Sequence, residues 1–200
     1  MNTWVWVAIA VAAAVVLVVV AFAIARTRRT RRLRGRFGPE YDRMVEEAGG
    51  RRDAERELGE RERRHDELEL RPLAPEARAR YSEQWRMTQE RFVDKPDASV
   101  DAADTLVTAV LRARGYPVDD FERRADDVSV DHPQVVENYR AAQVIARKTA
   151  TGDVTTEELR QAMIHYRSLF DELLAADEDA PLAREPSDAE VTAAARDQAR

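Results

Sequence analysis

From Trp4 to Ala25 the chain reads WVWVAIAVAAAVVLVVVAFAIA, 22 residues without a charge, a proline or a glycine. As a helix at ~1.5 Å per residue this stretch is ~33 Å long, close to the roughly 30 Å of a bilayer's hydrocarbon core. Twelve of its residues are Val, Ile, Leu or Phe. At about −0.3 to −0.6 kcal/mol each, they favour insertion by roughly −4 to −7 kcal/mol. Trp4 and Trp6 mark one end, where indole rings suit the interface. At the other end RTRRTRRLRGR, residues 26–36, holds seven arginines and no acid. The pattern predicts one transmembrane anchor with a stop block, residues 1–36. Ala23-Ile24-Ala25 resembles a signal-peptidase site, but MNT carries no Lys or Arg, the apolar run is long for a signal, and the arginines oppose translocation. By the positive-inside rule the N-terminus faces outward and the rest is cytoplasmic, at the cell membrane. Arg26, Arg28, Arg29, Arg31, Arg32, Arg34 and Arg36 are then orientation residues, each attracted to anionic lipid by about 1 kcal/mol.

Past the arginines the period is that of helices, and no stretch alternates as a strand does. Phe37-Gly38-Pro39 breaks the first helix; a short one follows with Tyr41, Met44, Val45 and Ala48 on one face, ending at Gly49-Gly50. RRDAERELGERERRHDELEL comes next, with only Ala54, Leu58 and Leu68 apolar. Such a helix buries little, so a solvated stalk or a surface helix is expected, with Glu57/Arg61 and Glu60/Arg64 as supporting pairs. A coiled coil would set Arg61 and His65 in its seam. These charged helices fill 37–71.

A small bundle is expected over 72–176. Pro75 opens a helix with Tyr81, Trp85, Thr88 and Phe92 on one face, and Pro96 ends it. Val100, Ala103, Leu106, Val107, Val110 and Leu111 form the cleanest stripe, with Ser99 as N-cap and Gly115 as terminator. A short helix covers VDDFERRADDV. After Asp131-His132-Pro133 another carries Val136, Tyr139, Gln143 and Ala146, with Pro133 in its first turn. Thr155 and Glu158 make a capping box before Leu159, Met163, Tyr166, Phe170 and Leu173. Residues 177–200 are acidic, Ala-rich and expected to be disordered. The fold class is all-α: a transmembrane helix, a charged juxtamembrane helix and a small bundle.

Charge sharpens this division. Residues 1–36 carry +7 and residues 37–200 carry −13, from 25 basic and 38 acidic residues. A body that acidic is repelled by phosphate backbones, so no nucleic acid is expected as a partner. The chain has no cysteine, which excludes disulfides and thiolate chemistry. An apolar span without an ionisable residue lines no ion path.

Motifs for chemistry are missing. No HExxH, GxGxxG, GxxxxGK[ST] or GxSxG occurs, so no catalytic residue, metal or cofactor is expected. Of the three histidines, His65 reads as a solvated side chain, His132 as a turn or cap residue, and His165 as a boundary residue. Asp119-Asp120, Asp126-Asp127 and Glu157-Glu158 read as helix ends.

Several segments taken together, LRGRFGPEYDRMVEEAGGRRDAERELGERERRHDELE, GYPVDDFERRADDVSVDHPQVVENYR, SVDHPQVVENYRAAQVIA and QAMIHYRSLF, resemble a family of actinobacterial single-pass membrane or secreted proteins of uncharacterised function. The resemblance implies no activity, ligand or catalytic residue. Two expectations follow. The first is a membrane-anchored, non-enzymatic scaffold that meets a protein partner or a second copy of itself through a surface including His132, Tyr139, Arg140 and His165. The second is a sensor or enzyme in which the same four residues converge on a pocket, or an exported protein.

Overall fold

The computed structural model describes residues 3–149 and 152–175; within the first helix the side chains of Thr3, Val5 and residues 7–11 lie outside that description. The described residues form helices only: α1 (Thr3–Phe37), α2 (Pro39–Glu47), α3 (Arg51–Asp66), α4 (Pro75–Arg91), α5 (Pro96–Arg114), α6 (Phe121–Asp131), α7 (Val136–Thr149) and α8 (Thr156–Ala175). Among the described residues no helix is long and apolar enough to cross a membrane. The expected span from Trp4 to Ala25 is helical throughout, with the side chains of Val5 and residues 7–11 outside the description, and the tail after Ala175 lies wholly outside it.

The apolar run and the arginine block share one uninterrupted helix of 35 residues. It ends where the chain says it should: Gly38 takes φ of 50°, a left-handed value that a side chain disfavours, and Pro39 opens α2 at its first turn. The foot of α1 is not a loose linker. Leu33 and Phe37 are buried with Tyr41 and Met44 of α2, Ala54 and Leu58 of α3 and Val130 of α6. Leu33/Phe37 and Ala54/Leu58 are i, i+4 pairs and Tyr41/Met44 an i, i+3 pair, and α2 and α3 are too short or too sparse in apolar residues to be stable alone.

This placement corrects the reading of the charged helix. α3 is no free stalk: besides Ala54 and Leu58 it buries Glu55, Arg61, Glu62 and His65. Charged groups enter an interior only when partners cancel them, and α1, α2 and α6 supply those partners. Of the expected helix pairs, Arg61 Nε lies 3.5 Å from Glu57 Oε1, whereas Glu60 and Arg64 form no ion pair.

The second and larger core joins α4 to α8. All six expected residues of the α5 stripe are buried in it, with Leu159, Met163, Tyr166, Phe170 and Leu173 of α8. Trp85 stacks on Phe170, centroids 4.7 Å apart. α6 spans both cores, giving Val130 to the small one and Ala125 and Val128 to the large one. Thr155 and Glu158 form the expected capping box: the Glu158 N–H donates to Thr155 Oγ1 at 3.2 Å, and the Thr155 N–H to Glu158 Oε2 at 2.8 Å. Gly115 ends α5 at φ 99°, and a Cβ there would meet the Glu69 carbonyl oxygen at 2.5 Å. The segment after α3 crosses at that point, the Arg71 N–H donating to the Arg114 carbonyl at 2.9 Å.

Three local expectations change. Ser99 lies inside α5, because Pro96 already starts the helix. α7 begins at Val136, with residues 133–135 a turn. Asp126 and Asp127 sit within α6 rather than at an end, and Asp120 is its cap, accepting from the Arg123 N–H at 2.8 Å.

Candidate functional site

The densest polar chemistry lies where α2, α3, α6 and α7 meet. Glu40, in the first turn of α2, is fully buried. Its carboxylate accepts from Arg43 of its own helix at 2.7 and 2.9 Å, from Arg61 of α3 at 3.1 Å and from Arg140 of α7 at 2.9 Å. Asp126 of α6 ion-pairs with the same Arg61 at 2.9 Å and the same Arg140 at 3.2 Å. Glu137 closes the ring against Arg43 and Arg140, at 2.9 and 3.1 Å. Three guanidinium groups thus face three carboxylates across four helices. Burial alone would raise the Glu40 pKa, but hydrogen bonds and charge from Arg43 and Arg140 outweigh it and hold the carboxyl well below its ordinary range. For Asp126 burial wins, and its pKa is raised despite Arg61 and Arg140.

A second cluster ties the end of α3 to the end of α6. His65 Nε2 lies 2.6 Å from Asp131 Oδ2, and the Tyr116 hydroxyl donates to the same oxygen at 2.8 Å. Burial pushes Asp131 up, yet the bonds from His65 and Tyr116 leave its pKa lowered. His65, expected to be solvated, is therefore a buried partner: one imidazole joins two otherwise separate helix ends. Its i, i+4 relation to Arg61, continuing the stripe of Ala54 and Leu58, is the signal in the sequence that marks this face.

The four residues expected at an interaction surface or pocket do not come together. His132 is buried at the end of α6, its Nδ1 3.4 Å from Glu172 Oε1. Desolvation lowers its pKa. Tyr139 is fully buried in the large core against Phe121 and Tyr166, so it presents no outer surface. Arg140 belongs to the Glu40–Asp126 network. His165 is half-buried on α8. No hydrogen bond joins any two of the four. Among the described residues no group of three or more His, Asp or Glu is placed to hold a metal ion.

The arginine block divides into two kinds. Arg32 and Arg36 both pair with Glu62 of α3, the latter at 2.9 Å. Arg34 pairs with Asp42 at 2.6 Å, and its guanidinium lies 5.6 Å from the centre of the Tyr41 ring. These three hold the domain to α1 as well as marking charge. Among the described residues Arg26, Arg28, Arg29 and Arg31 have no carboxylate in ion-pair range. Arg29 instead donates to the Glu55 carbonyl at 3.0 Å, and the Thr30 hydroxyl to Glu55 Oε1 at 2.6 Å.

Compared with protein-family models, curated proteins and solved structures, the chain shows no match. The resemblance to actinobacterial membrane or secreted proteins accordingly rests on the quoted motifs alone.

Proposed function

We propose that the protein is a membrane-tethered helical module, held at the cytoplasmic face by α1 and offering its bundle to a protein partner or a second copy. The observation that supports this most directly is the way α1 ends. Its apolar half continues without a break into the arginine block, and the last turn, Leu33 and Phe37, is sealed into the core made by α2, α3 and α6. A dispensable leader would be joined through an exposed linker; here cutting after Ala25 would leave the small core's first helix as a stub of about three turns. The exposed apolar side chains of Val15 to Val20, Phe22 and Ile24 also need a cover that the other described residues do not provide.

On this reading the protein is a scaffold rather than an enzyme, since its titratable clusters are spent joining helices. The test is protease protection of cells carrying tags at both ends. A full-length chain whose C-terminal tag is cut only after the cells are opened supports the tether. A shortened chain, or a C-terminal tag cut in intact cells, replaces it with an exported protein.

A further inference from the structure

The outer flank of α3 differs from its buried flank in one respect. Arg52, Arg56 and Arg63 follow one another at i, i+4 and i+11 with Gly59 between them, so they share a face, and that face opposes the basic end of α1. Two adjoining hollows lie in the cleft between the helices, about 660 Å³ beside Phe22 and Ala25 and about 510 Å³ beside Leu33. Arg29 and Arg56 line both. Together the hollows are lined by seven arginines and three glutamates, a surplus of four positive charges.

Among the described residues Arg26, Arg28, Arg29, Arg52 and Arg63 reach no carboxylate, and Arg56 pairs there with exposed Asp53 alone. Arginines without a carboxylate partner among those residues also occur elsewhere, as at Arg80, Arg91, Arg112 and Arg123; what sets this group apart is that its members line one cleft. Like charges gathered in one cleft repel one another unless an anion joins them. Gly59 adds a second sign. A glycine in mid-helix costs about 1 kcal/mol relative to alanine. A Cβ at this position would come within 3.1 Å of Arg29 Nη2, so the glycine leaves room for that guanidinium in the cleft.

We infer that this cleft is a binding site for the phosphate-bearing headgroup of an anionic phospholipid. Arg29, Arg52 and Arg56 supply planar donors suited to phosphate oxygens, and Phe22 and Ala25 form the apolar rim that meets the acyl end. The rim decides the source of the phosphate. A free ion gains nothing from Phe22, whereas a lipid places its headgroup at the level where the apolar half of α1 gives way to arginine. The inference rests on the tether reading for the depth of the cleft, but not for the existence of the site.

The test uses the full chain in a neutral detergent, so that binding does not depend on spanning, with native mass spectrometry counting retained phosphatidylglycerol against phosphatidylcholine. The expected result is selective retention of one or two phosphatidylglycerol molecules, weakened tenfold or more in R52Q/R56Q. The control R31Q/R51Q removes the same charge beside the cleft, from exposed residues that line neither hollow, and should change retention less than twofold. Equal retention of both lipids, or equal losses in the two double variants, overturns the inference in favour of diffuse attraction to a basic block. Displacement of the lipid by millimolar inorganic phosphate overturns the lipid assignment in favour of a phosphate site. A failed protease-protection result leaves these readouts untouched, so the two ideas fall separately.

Discussion

The two flanks of α3 are built from the same residue types and do opposite things. Toward α2 and α6, Arg61 and His65 are buried, Arg61 against Glu40 and Asp126 and His65 against Asp131. Toward α1, Arg52, Arg56 and Arg63 stand in an exposed cleft with other arginines. The lesson is that charge density along a helix says little until each charge is assigned a neighbour. A neutralised charge acts as mortar between helices that lack enough apolar surface, and an unneutralised one remains available to something outside the chain.

The comparison is broken most severely by removing the centre of the neutralised side. Glu40→Ala leaves the buried Arg61 and the half-buried Arg43 and Arg140 without their shared acceptor. It should cost about 3 to 5 kcal/mol in chemical denaturation, the range for splitting a buried ion pair; a loss below 1 kcal/mol would mean the network adds nothing to the fold. Acid sharpens the same point. The folded-state pKa of Glu40 is lowered from 4.5 to about 2, so its contribution is complete above 4.5 and fades as pH falls toward 2. Asp126 has the opposite sign: raised by burial, it favours the folded state when protonated. Wild type should therefore lose more stability than Glu40→Ala between pH 5 and pH 3, followed by thermal melting at each pH.

Next in size is His65→Ala, which leaves Asp131 with Tyr116 alone and should cost about 1 to 3 kcal/mol. Loosening should concentrate at the ends of α3 and α6, read by hydrogen exchange. The smallest expected effects lie on the outer flank. Arg52→Gln and Arg63→Gln should each shift stability by less than about 0.5 kcal/mol, since exposed charges without partners hold nothing together. A destabilisation above 1 kcal/mol by either would place them among the structural charges and erase the contrast.

Much of the large bundle was legible in the chain because its helices obey the 3.6-residue period without interference. The α5 and α8 stripes, the Thr155–Glu158 capping box and the Gly115 terminator are all local devices, and each appears where the pattern puts it. The small core was legible on α2 alone, where Tyr41, Met44, Val45 and Ala48 pack into or against it as expected, and not on α3. Its stripe on α3 runs 54, 58, 61, 65, half of it Arg and His, and a pattern search that counts only apolar residues sees two positions and stops. Glu40 and Arg140 lie 100 residues apart in the chain, so their pairing is a property of packing. The same holds for His132 and Tyr139. Both are chemically eligible for a site, yet burial in the bundle commits them to its interior. The basic cleft was half legible: the arginines of α1 were plain, whereas the contribution of α3 needed the two helices side by side.

Burying Leu33 and Phe37 also fixes a bearing. A helix turns by about 100° and rises about 1.5 Å per residue. With no swivel at its foot, the compass heading of the whole bundle is set by the number of residues in the rod above it. One alanine inserted between Ala25 and Leu33 would swing every outward face of α4 to α8 by about a quarter turn around the α1 axis, with no contact inside the bundle disturbed. Two copies pressed together along their α1 helices would then meet through different faces. The register of α1 is in this sense a dial for which surface the protein shows its neighbour.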